Sequence, residues 1–302
     1  MLAPRLGAFC RAYPNLRLRL LATNERVSLA SGEADLAIRL ARPEKGDLWA
    51  KRLGSVGHPS VIRGLTFISS TPGIAFTGIS GGHVTGACDW ASAGVNTADV
   101  FHAVVDKNGN CLYGVPGGSN SAAGAYTIDS DSMGRIVSAG DFKGSVNLGP
   151  SPPITAPGTD TDGFLARVDW NHGAAVHAVA TFGNGGGAGA VDQAFGLFVD
   201  KSDKIGLTGS FMSFVSFSGV NFNAQGSFDA FVARYDAATL SPLWVTTFGD
   251  NVFQQGRSVT ADPIDDAVIA AGIFQGTLVG AGAPPPVASP GFQSVYVMKL
   301  SP

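Results

Sequence analysis

The stretch DAFVARYD, residues 229–236, decides the fold because similar stretches recur along the chain. DVFHAVVD begins at Asp99, DGFLARVD begins at Asp162, and SVYVMKL occupies residues 294–300. Successive copies are 63, 67 and 65 residues apart. A nearly constant spacing of this kind indicates one structural unit that is repeated in tandem.

Other landmarks recur in the same order inside each unit. A glycine followed two residues later by an aromatic side chain occurs at Gly140 and Phe142, Gly209 and Phe211, and Gly272 and Phe274, with Gly78 in the same place of the first unit. Turn-forming residues separate about four short apolar stretches per unit, which is typical of a β-propeller blade. The sequence therefore predicts a mainly β fold of antiparallel, propeller-like repeats over residues 73–302. We expect the recurring aromatic residues to pack between neighbouring units.

The number of units is the open structural question. Three complete units begin near Asp99, Asp162 and Asp229, while residues 58–98 supply only later strands and residues 294–300 only a first strand. These two pieces can pair and close a ring of four blade-like units, which is the favoured count. Alternatively the chain is an incomplete ring whose open edges invite self-association.

The composition fits an all-β fold. Glycine accounts for 41 of 302 residues and charged residues for 14%, which favours tight turns between apolar strands. Hydrophobic residues make up 45%, so a disordered chain is not expected. The net charge of −3 gives no reason to expect nucleic acid as a partner, and no long apolar run predicts a membrane span.

The charge changes sign along the chain. Residues 1–57 carry 10 Lys and Arg against 5 Asp and Glu, whereas residues 58–302 carry 10 against 18. This change predicts a boundary at residue 57, with a junction over residues 58–72. The two parts therefore have different origins, as in a chimeric or truncated protein.

Residues 1–57 have an α/β pattern. LAPRLGAFCRAY places its apolar side chains on one face of a helix that Pro14 ends, and LRLRLLA, residues 16–22, alternates like a half-buried strand. After a short helical stretch, DLAIRLA (residues 35–41) and LWAKRLG (residues 48–54) are two further predicted strands.

This segment resembles the first part of the effector-binding domain of LysR-type transcriptional regulators, most specifically in DLAIRL and the closing RLG. The resemblance implies two α/β subdomains that clamp a small molecule, preceded by a helix-turn-helix that binds DNA. It also implies that Thr23 and Asn24 face the effector cleft. The segment begins after the helix-turn-helix and stops before the second subdomain. We therefore expect vestigial effector binding and no DNA-binding domain.

Residues 73–300 resemble the Gly-rich β-propeller repeats of bacterial surface and secreted proteins. Those units read roughly D-x-F-V-A-K-x-D, W-x-x-x-F-G and G-x-F, and the unit with DAFVARYD, LWVTTFG and AAGIFQG is the most similar. Its Trp244 is replaced by Leu112 and Ala178 in the other units, so the repeats are degenerate.

The sequence carries no catalytic, cofactor or metal motif: it has no GxSxG elbow, no HExxH pair and no phosphate loop. Cys10, Cys88 and Cys111 form no CxxC pair, and we predict three buried thiols. A Cys88–Cys111 bridge is the alternative if the repeats are exported. The acidic clusters lack the terminal acid of a calcium loop, so we interpret them as turns. They lie at Asp129 and Asp131, Asp160 and Asp162, Asp200 and Asp203, and Asp262, Asp265 and Asp266.

These observations predict a non-enzymatic propeller-type repeat protein that binds an unidentified protein or carbohydrate, or that acts as a structural scaffold. The alternative is a fragment of a LysR-type transcriptional regulator with vestigial small-effector binding. The N-terminus lacks a signal peptide, which predicts a cytoplasmic protein. An extracellular or cell-surface location is expected instead if the true start of the repeat protein is missing.

Overall fold

The structure is a computed structural model of the chain, which divides into two compact units, Met1–Leu53 and Gly54–Pro302. The α/β elements expected before residue 54, together with Thr23 and Asn24, lie outside the described residues. The described residues all belong to the second unit and are 54–56, 60–82, 84–86, 88–89, 98–119, 121–148, 153–156, 160–171, 177–183, 189–280 and 286–300.

Strands and turns make up the described part of the chain, and it contains no helix. In chain order the strands are β1 (Gly54–Val56), β2 (Ser60–Ile68), β3 (Gly73–Ser80), β4 (Val84–Gly86), β5 (Asp99–Asp106), β6 (Cys111–Pro116), β7 (Ala123–Ser130), β8 (Ile136–Lys143), β9 (Ser145–Val146), β10 (Ile154–Thr155), β11 (Thr161–Val168), β12 (His177–Gly183), β13 (Gln193–Val199), β14 (Lys204–Phe211), β15 (Phe214–Phe217), β16 (Val220–Asn223), β17 (Asp229–Asp236), β18 (Pro242–Phe248), β19 (Gln254–Ala261), β20 (Val268–Phe274), β21 (Thr277–Leu278), β22 (Val287–Ala288) and β23 (Ser294–Leu300).

Four antiparallel sheets hold most of these strands. Sheet 1 has the order β2-β3-β5-β6, sheet 2 contains β7-β8-β11-β12, sheet 3 has the order β13-β14-β17-β18, and sheet 4 has the order β19-β20-β23. The hairpin β15-β16 extends sheet 2 beyond β12, and three short ribbons pair β1 with β4, β9 with β10 and β21 with β22. The prediction of a mainly antiparallel β fold is confirmed.

The expected closure of a ring is wrong. Each Asp-x-Phe segment is the third strand of a sheet, not the first strand of a unit, because two earlier strands of the chain precede it in the same sheet. Strand β23 pairs with β20, while β3 of the first hairpin pairs with β5. The two end pieces therefore complete different sheets and do not pair with each other. The described residues form separate sheets and no closed ring.

The third strand of sheet 3 is covered on both faces. We call the face of a sheet that points to the next sheet along the chain its front face, and the opposite face its back face. Phe231 and Tyr235 of β17 lie on the back face, in a cluster with Leu165 of sheet 2. Val232, between them, lies on the front face, in a cluster with Ala270 of sheet 4. Successive sheets therefore pack face to face, as alternation along a strand allows.

The recurring aromatic residues fill the spaces between sheets, as predicted from their spacing. The members of both sets are almost fully buried: Phe101, Phe164, Phe231 and Tyr296 in the third strands, and Phe142, Phe211 and Phe274 in the second strands. Burial of one such side chain contributes about 1.5–3 kcal/mol, so these positions dominate the core.

Cys88 and Cys111 form a disulfide, with their Cα atoms 5.1 Å apart. The prediction of buried thiols is therefore wrong for these two residues, and Cys10 lies outside the described residues. The bridge ties the segment before β5 to the fourth strand of sheet 1.

Candidate functional site

The first strand of every sheet contains a β-bulge at the same position. The pairing register shifts by one residue between Ile62 and Gly64, between Ala125 and Thr127, between Ala194 and Gly196, and between Gly256 and Ser258. A bulge leaves one residue unpaired and redirects its side chain. The residues redirected in this way are Arg63, Tyr126, Phe195 and Arg257.

These four side chains form one row, which we call the bulge row. The guanidinium carbon of Arg63 lies 5.9 Å from the ring centroid of Tyr126, and the rings of Tyr126 and Phe195 are 5.6 Å apart at 35°. The guanidinium carbon of Arg257 lies 4.9 Å from the ring centroid of Phe195. A cation therefore stands at each end of a pair of stacked aromatic rings, an arrangement that the negative ring faces favour.

The ends of the row face water and its middle does not. Arg63 and Arg257 are exposed, whereas the two rings are half-buried. Because each ring is covered by its neighbours in the row, the groups left for an external partner are the N–H donors of the two guanidinium groups. These donors suit a carboxylate or phosphate.

A buried carboxylate holds the middle of the row in place. The hydroxyl of Tyr126 donates a hydrogen bond of 3.0 Å to Asp141, and the side-chain amide of Gln193 donates to the other oxygen of the same carboxylate. Burial raises the pKa of Asp141, and the two hydrogen bonds oppose that shift. Burial and the charge of Asp141 also raise the pKa of Tyr126. Sheets 2 and 3 are thus joined by a polar contact under the row.

The equivalent contact differs at the other junctions. Between sheets 3 and 4, the amide of Gln255 donates to the hydroxyl of Ser210 over 3.1 Å. Between sheets 1 and 2, a Cβ added to Gly124 would lie 3.1 Å from Ile79, so this junction is apolar. One structural position thus carries three different chemistries.

The repeated aspartates at the starts of the third strands are structural. Asp99 accepts hydrogen bonds from the backbone and hydroxyl of Ser119 at 2.9 and 2.8 Å. The side chain of Asp229 fills the space that a Cβ at Gly249 would occupy, at 2.1 Å. The Asp-x-Phe and Phe-Gly landmarks therefore recur together because a buried carboxylate needs a glycine beside it.

A third aspartate stands at the junction of sheets 2 and 3. Asp192 is fully buried and accepts a hydrogen bond from the backbone of Met212 at 3.2 Å. Burial, and then the charges of Asp162 and Asp160, raise the pKa of Asp192 to about 8. Within the described ranges, no group of three or more His, Cys, Asp and Glu side chains is arranged to hold a metal ion.

The Asp-rich clusters between first and second strands make turns, as predicted. One oxygen of Asp131 accepts the backbone N–H groups of Met133 and Arg135, at 3.0 and 2.9 Å. Asp200 repeats this geometry two sheets' strands later, with Ser202 and Lys204 at 2.8 and 2.9 Å. Their oxygens are therefore used by the backbone of the turn.

The sequence did not point to the bulge row, and the predicted site residues Thr23 and Asn24 lie outside the described residues. A signal for the row is nevertheless present. Arg63, Tyr126, Phe195 and Arg257 each precede the glycine of the Gly-x-Phe landmark, or Gly78, by 14 or 15 residues.

Comparison with known proteins identifies one family. The description "LysR substrate binding domain" matches residues 1–58. An HTH-type transcriptional regulator of Xanthomonas campestris pv. campestris (strain 8004) is 42% identical over 55 residues, which are 18% of this chain and 16% of that protein. The Mau operon transcriptional activator of Paracoccus denitrificans is 40% identical over 55 residues, which are 18% of this chain and 19% of that protein.

The chain thus spans less than a fifth of the length of these two relatives. The resemblance of residues 1–57 to a LysR-type effector-binding domain is confirmed by the match. The leading functional prediction, a non-enzymatic propeller-type scaffold, is wrong, because the matches are to transcriptional regulators and the described sheets form no closed ring. No helix in the described part of the chain is long and apolar enough to cross a membrane.

Proposed function

We propose that the chain functions in transcriptional regulation, as a fragment of a LysR-type regulator that keeps a vestigial part of the small-effector site. The observation that carries this proposal is the match of residues 1–58 to the LysR substrate-binding domain. The two relatives named above are both regulators of transcription by their names, and their identity of about two residues in five falls in the same segment.

Thr23 and Asn24 are the residues proposed to contact an effector. A small-molecule site normally encloses most of its ligand, and a single wall of such a site buries far less of it. Effector binding by this segment alone is therefore weak, in the range of about 1 mM or poorer. Its regulatory effect then depends on contact with an intact regulator and not on its own response to an effector.

The test is competition in a gel-shift assay. The purified Xanthomonas campestris regulator is bound to its own promoter fragment, and the full chain is added in increasing amounts. We expect the full chain to reduce or alter the shifted band, because it shares 42% identity with the regulator over the matched segment. The matched control is Leu20→Pro, which breaks the strand predicted over residues 16–22 and leaves Gly54–Pro302 unchanged. Equal behaviour of the full chain and this variant contradicts the proposal.

For the second unit we propose the finer description of an open arc of four blade-like sheets. A shared strand order and a bulge at one position of every first strand support it. Small-angle scattering of the full chain, compared with curves for an open arc and for a closed ring, tests this description.

A further inference from the structure

The three junctions between successive sheets are copies of one contact. In each, the front face of one sheet covers the back face of the next, with clusters of buried apolar side chains between them. A sheet inside the series therefore has both faces covered. Sheet 1 has no preceding sheet in the described part of the chain, and sheet 4 has no following one.

The front face of sheet 4 shows the consequence. Leu165 in sheet 2 and Val232 in sheet 3 are both fully buried by the next sheet. Val297 occupies the same position in sheet 4, because each of the three pairs with the residue before the glycine of a Gly-x-Phe landmark. Its exposure is 75%, and that of Val295 beside it is 79%.

The back face of sheet 1 is exposed in the same way. Ile128, Leu197 and Val259 lie at one position of the first strands of sheets 2 to 4, and all three are buried by the preceding sheet. Leu65 holds that position in sheet 1 and is 52% exposed. Ile74 on the neighbouring strand is also exposed.

We propose that the front face of sheet 4 in one copy of this chain packs against the back face of sheet 1 in a second copy. The two exposed faces are the two halves of the contact that the chain makes three times internally, so a second copy supplies the surface that each face lacks. This interaction surface lies outside residues 1–58 and is independent of the function proposed above.

The side chains that would meet are matched in polarity. At the junction of sheets 1 and 2, the imidazole of His102 and the hydroxyl of Ser138 face each other at 2.7 Å. In the contact between copies, the same two positions are Val297 and Phe76, which are both apolar. The position of Ser210 and Gln255 becomes Ile273 and Val61, again two apolar residues.

The front face of sheet 4 carries no unbalanced charge that would oppose this packing. Lys299 is its basic residue, and its ammonium group lies 2.8 Å from Asp262 and 2.7 Å from Asp265. A large exposed apolar face without free charge is typical of a surface that another protein covers.

One pair of residues opposes the contact and gives it a signature. The bulge row ends in Arg257 in sheet 4 and begins with Arg63 in sheet 1, so continuation of the row across two copies brings two guanidinium groups together. Their repulsion is reduced by salt. Association between copies is therefore expected to strengthen as the ionic strength rises.

Sedimentation velocity of the full chain tests the proposal. We expect dimers or longer species whose fraction grows with protein concentration and with salt. Val297→Lys and Leu65→Lys, each on a different face, should both weaken association at least about tenfold, because each buries an unpaired charge in the contact. Val220→Lys is the matched control, since Val220 is 52% exposed in the hairpin β15-β16 and belongs to neither face.

Mixing the two variants distinguishes this contact from pairing of two identical faces. A Leu65→Lys copy keeps an intact front face and a Val297→Lys copy keeps an intact back face, so an equimolar mixture should form 1:1 dimers although neither variant associates alone. Such head-to-tail contacts are heterologous in the sense of oligomer symmetry.

Three results overturn the proposal. One is a monomer at every concentration and salt, and the second is association that Leu65→Lys leaves unchanged, which would indicate pairing of two copies of β23. The third is a mixture that stays monomeric. Arg257→Gln adds a check with the opposite sign, because loss of one guanidinium should strengthen association at low salt and remove its salt dependence.

Discussion

Sheets 3 and 4 are built alike and differ in what covers them. Both begin with a strand that has a bulge at the same position, and in both the third strand pairs with the second in full register. Sheet 3 lies between two other sheets, whereas sheet 4 lacks a fourth strand and a covered front face. Val232 is consequently fully buried and Val297 is 75% exposed, although DAFVARYD and SVYVMKL are similar in sequence.

The difference shows that the repeated pattern specifies a sheet but not its surroundings. The apolar residues that would be needed under a following sheet are present in sheet 4 whether or not that sheet is there. Burial at this position is decided by a neighbour and not by the strand itself.

The comparison is tested most severely by placing a lysine at the same position of both sheets. Val232→Lys should lower the free energy of unfolding by about 4 kcal/mol or more, because it buries an unpaired charge in a packed core. Val297→Lys should change it by less than about 0.5 kcal/mol. Denaturant unfolding followed by circular dichroism measures both values, at protein concentrations low enough to keep the chain monomeric. Similar losses in the two variants would show that sheet 4 is covered in solution.

A second test uses the residue that precedes the first strand, which is Asp192 in sheet 3 and Phe253 in sheet 4. Burial, with the charges of Asp162 and Asp160, raises the pKa of Asp192 to about 8. The folded state then keeps a proton that the unfolded state loses above about pH 4, so stability should fall as the pH rises from about 4 to about 8. The loss amounts to a few kcal/mol in total.

Unfolding curves measured across this pH range check the sign and the size of the effect. Asp192→Asn removes the titrating group and should flatten most of the decline. Asp229, whose pKa burial raises to about 6, supplies a smaller decline in the same direction that should remain in the variant. An unchanged slope in Asp192→Asn would rule out Asp192 as its source.

A smaller effect is expected where sheet 3 has an aspartate beside a glycine and sheet 4 has neither. A Cβ at Gly249 would lie 2.1 Å from the carboxylate carbon of Asp229, while sheet 4 has Ser294 in place of that aspartate. Gly249→Ala should therefore cost about 2 kcal/mol, within the usual range for overpacking. Gly291→Ala is the control, since nothing lies within 4 Å of its added Cβ. A thermal melt that shows equal losses for both would contradict the close approach.

The sequence was sufficient for those features that depend on residues close together in the chain. Alternation and turn residues predicted antiparallel strands, and the spacing of Phe164, Phe231 and Tyr296 predicted a buried aromatic set. The phase of the sheets was wrong because a period shows where a pattern recurs and not which strand comes first in its sheet. Ring closure was wrong for the same reason, since pairing of β23 with β20 depends on contacts distant in sequence.

The candidate site was harder to predict. A β-bulge needs a register shift between two strands, which the alternation of one strand does not reveal. Tyr126 and Phe195 lie 69 residues apart in sequence, and their stacking depends on how two sheets face each other. The Cys88–Cys111 bridge likewise depends on the path of the chain before β5.

The smallest expected effect concerns the bulge residues of sheets 3 and 4 themselves, Phe195 and Arg257. Their contact of 4.9 Å lies at the exposed end of the row, where a cation–π pair contributes about 0.5–1 kcal/mol. A double-mutant cycle with Phe195→Ala and Arg257→Ala should give a coupling energy of that size. The cycle with Tyr126→Ala and Phe195→Ala should give a larger coupling energy, because both rings are half-buried and Tyr126 is bonded to Asp141. A coupling energy of zero for the first pair would mean that Arg257 only rests on the ring in passing, so that sheet 4 shares the bulge of sheet 3 but not its contact.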